Sequence, residues 1–434
     1  MSPELIGGIG VVILLILIFC RMWIGLAFAV AGFLGIVAIK GLGPAFGVIS
    51  SVQYDKVANY SLSTIPFFLL MGVLIANSKI GEQVFDAART WVGHVRGGLS
   101  MATIVASAVF AAMTGISTAS EATLIKVALP QMRRFGYADT LSTASITASG
   151  TLAFLIPPSL IFVFYGILTE QSIGKMYMAG ILPGILLAIC MIITVFFITR
   201  RHPQLGPAGP KTKFREKITS LKFVWPVIII IIIILGGIYI GVFTATEGGA
   251  IGAFGTVIVI AALRQFKLKM FLNALAETAR MSGMIFFLIV GANIFMKFLA
   301  MSRVTFMLSN WVGSLNIPPL AVMGVIAFIY VILGMFFDVI AAILLTVPIL
   351  FPIAVGLGFD PIWFGVIITL LVQLGLLTPP IGMDVFVVSG MSGVPATTIF
   401  RGLVPFFFCI FAVIVILIFF PQISTFLPNR MTVK

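Results

Sequence analysis

The chain is 434 residues long, 61% hydrophobic and only 9% charged. That balance excludes a soluble globular domain and points to a polytopic membrane protein set in a lipid bilayer. The net charge of +13 does not imply nucleic acid, because the Lys and Arg residues sit in short loops beside apolar runs, as topology determinants do.

In chain order, the first apolar run covers residues 6–20. The segment before it, MSPELIGG, lacks the basic region and small-residue cleavage site of a signal peptide, so the run is expected to stay in the protein. With the N-terminus outside, crossings are predicted at 5–20, 24–40 and 62–78. Residues 78–98 then set Val84, Phe85, Ala88, Trp91 and Val92 against Glu82, Asp86, Arg89 and Arg96, the pattern of an amphipathic helix along the interface. Residues 98–130 are predicted to enter and leave on the cytoplasmic side as a re-entrant hairpin. Crossings at 141–167 and 178–199 follow.

Residues 200–222 (RRHPQLGPAGPKTKFREKITSLK) hold seven Lys/Arg against one acid, Glu216, and read as a cytoplasmic linker. Beyond it, crossings are expected at 223–243, 247–263 and 279–300, with a second amphipathic stretch at 267–280. A hairpin entered from outside covers 318–352, and the last crossings are 361–388 and 403–421.

The two parts repeat each other. Pro157-Pro158 in GTLAFLIPPSLIFVFYG answers to Pro379-Pro380 in LGLLTPPIGMDVFVVSG, an offset of 222 (379 − 157). Pro130, Gly136 and Tyr137 answer to Pro352, Gly358 and Phe359 at the same offset, as do Gly180 and Pro183 to Gly402 and Pro405. Span 62–78 runs inward and its counterpart 279–300 outward, so the repeats 1–199 and 223–434 are expected to be inverted. A duplicated half with a broken helix in each copy is the pattern of a secondary transporter's binding site.

The chemistry expected there is that of exposed carbonyls and helix ends, hard ligands for a cation and partial charges for a carboxylate. The first hairpin tip, AAMTGISTASEATL, offers Thr114, Gly115, Ser117, Thr118 and Ser120, facing a break from Gly150 to Pro158. Proline removes a donor there and frees the carbonyl four residues back. The second tip offers Gly334, Asp338 and Thr346, facing a break from Gly375 through Thr378 to Pro380. Each hydroxyl has a plainer role open to it, bonding a neighbouring helical carbonyl.

Three acids fall at membrane depth, where a functional role is the default expectation. Asp338 can hold the loop ends, ligate sodium or carry a proton. Glu121 can pair with Lys126 inside the hairpin. Asp384 can face substrate. The chain has no Walker motif, no HExxH and no GxSxG, so neither an ATPase nor a hydrolase is expected. Cys20, Cys190 and Cys409 lie far apart, and His94 and His202 sit in basic loops; no transition-metal site or cofactor is expected. Transport driven by an ion gradient remains.

The motifs TGISTASEATLIKVALPQMRRFGY, GTLAFLIPPSLIFVFYGILTEQSIGKMYMAGILPG, LGMFFDVIAAILLTVPILFPIAVGLGFDPIWFG and LGLLTPPIGMDVFVVSG resemble those of the large membrane subunit of tripartite ATP-independent periplasmic (TRAP) transporters, across nearly the whole chain. The resemblance implies an all-α elevator-type carrier with scaffold parts at 1–97 and 223–317 and transport parts at 98–199 and 318–434. It implies sodium-coupled import of a carboxylate across the bacterial inner membrane, such as a C4-dicarboxylate, a sialic acid or another sugar or keto acid. Implied partners are a small four-helix membrane subunit, expected as a separate polypeptide, and a periplasmic substrate-binding protein.

By the motif match, one sodium site would draw on Gly115, Ser117, Ser120, Gly150, Ile156 and Pro157. A second would draw on Asp338, Thr346, Gly375, Thr378 and Pro379. Substrate would meet Thr114, Thr118, Gly382, Met383 and Asp384. Glu121 stands where the family more often has a small residue and Asp384 where it often has Asn, which leaves ion number and substrate type open. A proton-coupled carrier using Asp338 or Glu121 is the alternative.

Overall fold

The computed structural model describes residues 1–315 and 317–431, and among them all regular structure is helical. The helices run α1 (Pro3–Phe19), α2 (Ile24–Lys40), α3 (Leu42–Val57), α4 (Thr64–Ala76), α5 (Ile80–Val92), α6 (Gly98–Thr114), α7 (Ser117–Arg134), α8 (Asp139–Gly150), α9 (Leu160–Thr169) and α10 (Ile173–Arg201). After the linker come α11 (Phe214–Ser220), α12 (Trp225–Tyr239), α13 (Ala245–Ala262), α14 (Leu268–Ser302), α15 (Val304–Ser314), α16 (Pro319–Phe336), α17 (Val339–Gly356), α18 (Pro361–Leu376), α19 (Met383–Ser392), α20 (Ala396–Phe419) and α21 (Gln422–Arg430).

Six of these, α10, α13, α14, α16, α17 and α20, are long and apolar enough to cross a bilayer. The protein is thus a multi-pass membrane protein. Its helix starts follow local chemistry: Thr244 and Glu247 form a reciprocal capping box on α13, while Asp338 and Asp360 cap α17 and α18.

One order of elements occurs twice. α6 and α7 make a helix–turn–helix pair, followed by α8, a Pro-Pro interruption, the short α9 and the long α10. The series α16, α17, α18, interruption, α19, α20 has the same order. The copies interlock: α7 packs on α19, and α17 packs on α9. Each pair's second helix therefore touches the short helix of the other copy.

A smaller apolar cluster joins α1–α3 to the last third of α14 and to Leu344 and Leu345 of α17. Glycines let α2 and α14 approach, since a side chain on Gly32 would collide with the backbone of Phe295.

Three features differ from the sequence-based expectation. The segment 267–280 is no separate surface helix but the start of α14, which continues for 35 residues. At 1.5 Å per residue it reaches roughly 50 Å, well past the ~30 Å hydrocarbon core. No proline interrupts it, so nothing in the sequence stops the helix. By contrast α5 does leave the preceding helical segment, bending by 68°. Residues 42–57, left between the crossings predicted at 24–40 and 62–78, form α3.

The linker is the third difference. Its composition reads as a linker between the repeats, yet it is laced down by hydrogen bonds. Ala138 N–H donates to Leu205 O (3.1 Å), Gly97 N–H to Gly206 O (2.9 Å) and Gly209 N–H to Gly93 O (3.0 Å). The Thr212 hydroxyl donates to Thr90 O (2.7 Å), and the Trp91 indole donates to Lys217 O (3.2 Å). The strap thus joins the end of α10 to the α7–α8 turn and to α5, satisfying backbone groups that a free coil would leave to water.

Candidate functional site

The first tip is the two-residue turn between α6 and α7. Gly115 ends α6 at φ +62°, a left-handed conformation that glycine adopts without strain. A Cβ built there would lie 2.5 Å from the carbonyl oxygen of Pro158. The tip is therefore seated directly on the first Pro-Pro interruption. Thr114 Oγ1 lies 3.3 Å from Ser120 Oγ across the turn, and Ser117 and Ser120 are buried.

Gly150, which ends α8, faces the Glu121 side chain: a Cβ there would come 2.7 Å from Oε1. Ile156 instead points away from the tip and packs on Gly184 of α10, while Pro157 is buried in the interruption. The structure thus brings together Thr114, Gly115, Ser120 and the Pro158 carbonyl, with Glu121 and Gly150 forming a neighbouring contact.

The second tip has different chemistry. Asp338 Oδ1 accepts from the backbone N–H of Ile340 (2.6 Å) and Ala341 (3.1 Å), so its carboxylate caps α17. Of its three open roles, holding the loop is the one this geometry displays. Gly334 and Gly375 let α16 and α18 cross in backbone contact, and Gly382 N–H donates to Met335 O (3.4 Å).

Thr378 donates to Leu374 O (2.6 Å), and Pro379 is exposed. Thr346 lies eight residues beyond Asp338, roughly 12 Å along the helix, where its hydroxyl donates to Ala342 O (2.6 Å). It is not brought to the tip.

The residues expected to meet substrate divide into two groups. Thr114 and Thr118 line a cavity of about 330 Å³ between α4, α5, α7 and α14. Helical periodicity explains the wall: Thr118, Ala122 and Lys126 make one ridge of α7, and Ala119, Thr123 and Val127 the next. Glu82 and Glu277 stand at the same cavity as Lys126. The other group lies elsewhere. Gly382 packs near the Phe400 ring, Met383 is exposed, and Asp384 is buried on α19.

Glu121 and Lys126 do not pair. Five residues at 100° each set them on different faces of α7, one buried and one exposed. Glu121 is fully buried with neither carboxylate oxygen hydrogen-bonded, and Asp384 Oδ2 likewise has no partner. Packing of α7 on α19 brings together the two helices that carry them. Sequence reasoning missed Gln373, which is 0% exposed with both amide atoms unpartnered. Its signal was a lone amide inside VIITLLVQLGL, because buried polar groups are normally satisfied.

Residues 11–423 match the family described as "Tripartite ATP-independent periplasmic transporter, DctM component". The chain belongs to this family. It is a TRAP large membrane subunit, a permease component and not an enzyme. It is 34% identical over 378 residues to the C4-dicarboxylate TRAP transporter large permease protein DctM of Pseudomonas aeruginosa, covering 87% of this chain and 88% of that one. It is 33% identical to the sialic acid TRAP transporter large permease protein SiaM of Vibrio cholerae, with 86% and 87% covered. The ectoine/5-hydroxyectoine TRAP transporter large permease protein UehC of Ruegeria pomeroyi is 31% identical, with 85% and 86% covered.

Among solved structures, the Alcanivorax borkumensis YdaH transporter superposes with a TM-score of 0.68 at 14% identity, covering 98% of this chain and all of that one. That likeness extends the match to the fold of the TRAP subunit.

Proposed function

We propose that this TRAP subunit is the translocating part of a sodium-coupled importer for an organic acid in the bacterial cytoplasmic membrane. The observation that carries the reading is the double seating of a helix-pair tip on a Pro-Pro interruption, Gly115 on the Pro158 carbonyl and Met335 O on Gly382 N–H. Such interruptions present carbonyls and helix ends at membrane depth, where they serve cations and carboxylates. Relatives named for C4-dicarboxylates and sialic acid support the substrate class. The pairs α6–α7 and α16–α17 act as re-entrant hairpins of two inverted repeats and move as an elevator against α1–α5 and α12–α15. A small four-helix membrane subunit and a periplasmic binding protein complete the machine.

Uptake in proteoliposomes holding both membrane subunits and the binding protein tests this. Accumulation should require an inward sodium gradient. Because Asn also caps helices, Asp338→Asn should keep the fold and raise the sodium concentration needed for half-maximal uptake. An unchanged sodium requirement removes Asp338 from the ion site. The unpartnered oxygens of Glu121 favour one rival, proton coupling. Uptake that persists without sodium and collapses with the pH gradient would establish it instead.

A further inference from the structure

A second large cavity lies away from both tips. It is an open recess of about 590 Å³ between the end of α10, the start of α8 and the start of α20, on the face that the basic loops place in the cytoplasm. Arg201, His202 and Arg401 line it, and no Asp or Glu does. Neither arginine is within ion-pair distance of an acid among the described residues. Asp139, next to the lining residue Thr140, is occupied by Arg133 at 2.8 and 3.2 Å. Two arginines and a histidine, at the end of α10 and the start of α20, therefore line one cavity with no ion pair to an acid among the described residues.

Phe197 in the wall and the exposed apolar surface that flanks the cavity say what kind of anion fits. Below Arg201 on the same face of α10, Phe197 is 60% and Ile193 46% exposed. Beyond Arg401 on α20, Val404 and Phe408 are 53% and 63% exposed. Spacings of three and four residues align each guanidinium above its own apolar stripe. A soluble anion would use the guanidiniums and leave the stripes idle. A two-tailed amphiphile uses both: its phosphate takes forked donors from two arginines, and its chains lie along the helices.

We propose that this cavity is a binding site for an anionic phospholipid of the cytoplasmic leaflet. The bound headgroup bridges α10 of the first copy to α20 of the second. This assignment is independent of substrate and coupling ion.

The experiment measures thermal unfolding of the detergent-purified chain titrated with phosphatidylglycerol, phosphatidylcholine or glycerol phosphate. Phosphatidylglycerol should raise the midpoint saturably, and the other two should not. Arg201→Gln with Arg401→Gln should demand about thirtyfold more lipid for the same shift, and each single change about fivefold. Arg264→Gln in another basic loop should leave the titration unchanged. Should the double variant not fold, the single variants carry the test. An equal response to phosphatidylcholine overturns the proposal, as does a wild-type response in the Arg201 and Arg401 variants. Stabilisation by glycerol phosphate alone would assign the cavity to a soluble anion.

Discussion

The two Pro-Pro interruptions share a motif and a cis bond but not an environment. Around the first, residues 151–155 and 157–160 are buried, and side chains serve the backbone: Ser159 Oγ donates to Phe154 O and Ser107 Oγ to Ser149 O, both at 2.7 Å. Around the second, Pro379, Pro380, Ile381 and Met383 are exposed, and one hydroxyl, Thr378 donating to Leu374 O, serves the backbone beside the Gly334–Gly375 crossing. The same chain break can thus be closed in one copy and open in the other. Buried carbonyls must find donors within the protein, whereas exposed ones find them outside. The Ser/Thr-rich first copy and the aliphatic second copy are the sequence expression of that difference.

The largest effect should come from filling the closed tip. Gly115→Ala forces a left-handed alanine and drives a methyl to within 2.5 Å of the Pro158 oxygen, a backbone atom with no freedom to retreat. Gly382→Ala in the open copy also has positive φ, and its methyl would meet the Phe400 ring at 3.0 Å and the Leu376 carbonyl oxygen at 3.1 Å, a milder overlap than the 2.5 Å at Gly115. The conformational cost of roughly 1–2 kcal/mol is shared by both sites, and the steric cost is smaller at Gly382. Uptake should fall by at least about tenfold for the first and severalfold for the second. Equal losses would mean that the two interruptions are equally tight.

Accessibility reads the comparison more directly. On a background lacking Cys20, Cys190 and Cys409, Ile381→Cys should react with a thiol reagent, because that position is 39% exposed. Leu155→Cys, at 0% exposure, should stay inert in the same state, a rate difference of at least about tenfold. Ready labelling of Leu155→Cys would show that the first interruption opens as well.

Much of this asymmetry was legible in the residues. Gly115, Asp338 and both Pro-Pro pairs mark tips and interruptions by backbone chemistry alone, and glycine, proline and a capping acid act locally. What escaped was set by packing. Ile156 lies within the interruption in sequence but turns to Gly184, and Thr346 rides two turns up α17. Glu121 has no local partner; its place over Gly150 follows from how α7 crosses α8. The strap misled for a related reason. Proline and glycine predict irregular backbone, but whether that backbone is bound or free depends on distant groups such as Gly93 and Ala138.

The smallest effects should appear where the helices leading into the interruptions begin. Asp360 caps α18 by accepting from the N–H groups of Ile362 (2.9 Å) and Trp363 (2.8 Å). Asp360→Ala should cost about 1 kcal/mol. Asp139 occupies the start of α8 but serves Arg133 instead, with side chains 40% and 45% exposed. Solvent screens such a pair, so Asp139→Asn should cost only a few tenths of a kcal/mol and the loss should vanish in high salt. The hydrogen bonds that Arg133 donates to the Asp139 carboxylate raise its already high pKa. The arginine therefore stays charged through the neutral range, and salt, not pH, is the variable that dissects the pair. If Asp139→Asn destabilised the protein as much as Asp360→Ala, the first copy would depend on its surface ion pair as heavily as the second depends on its cap.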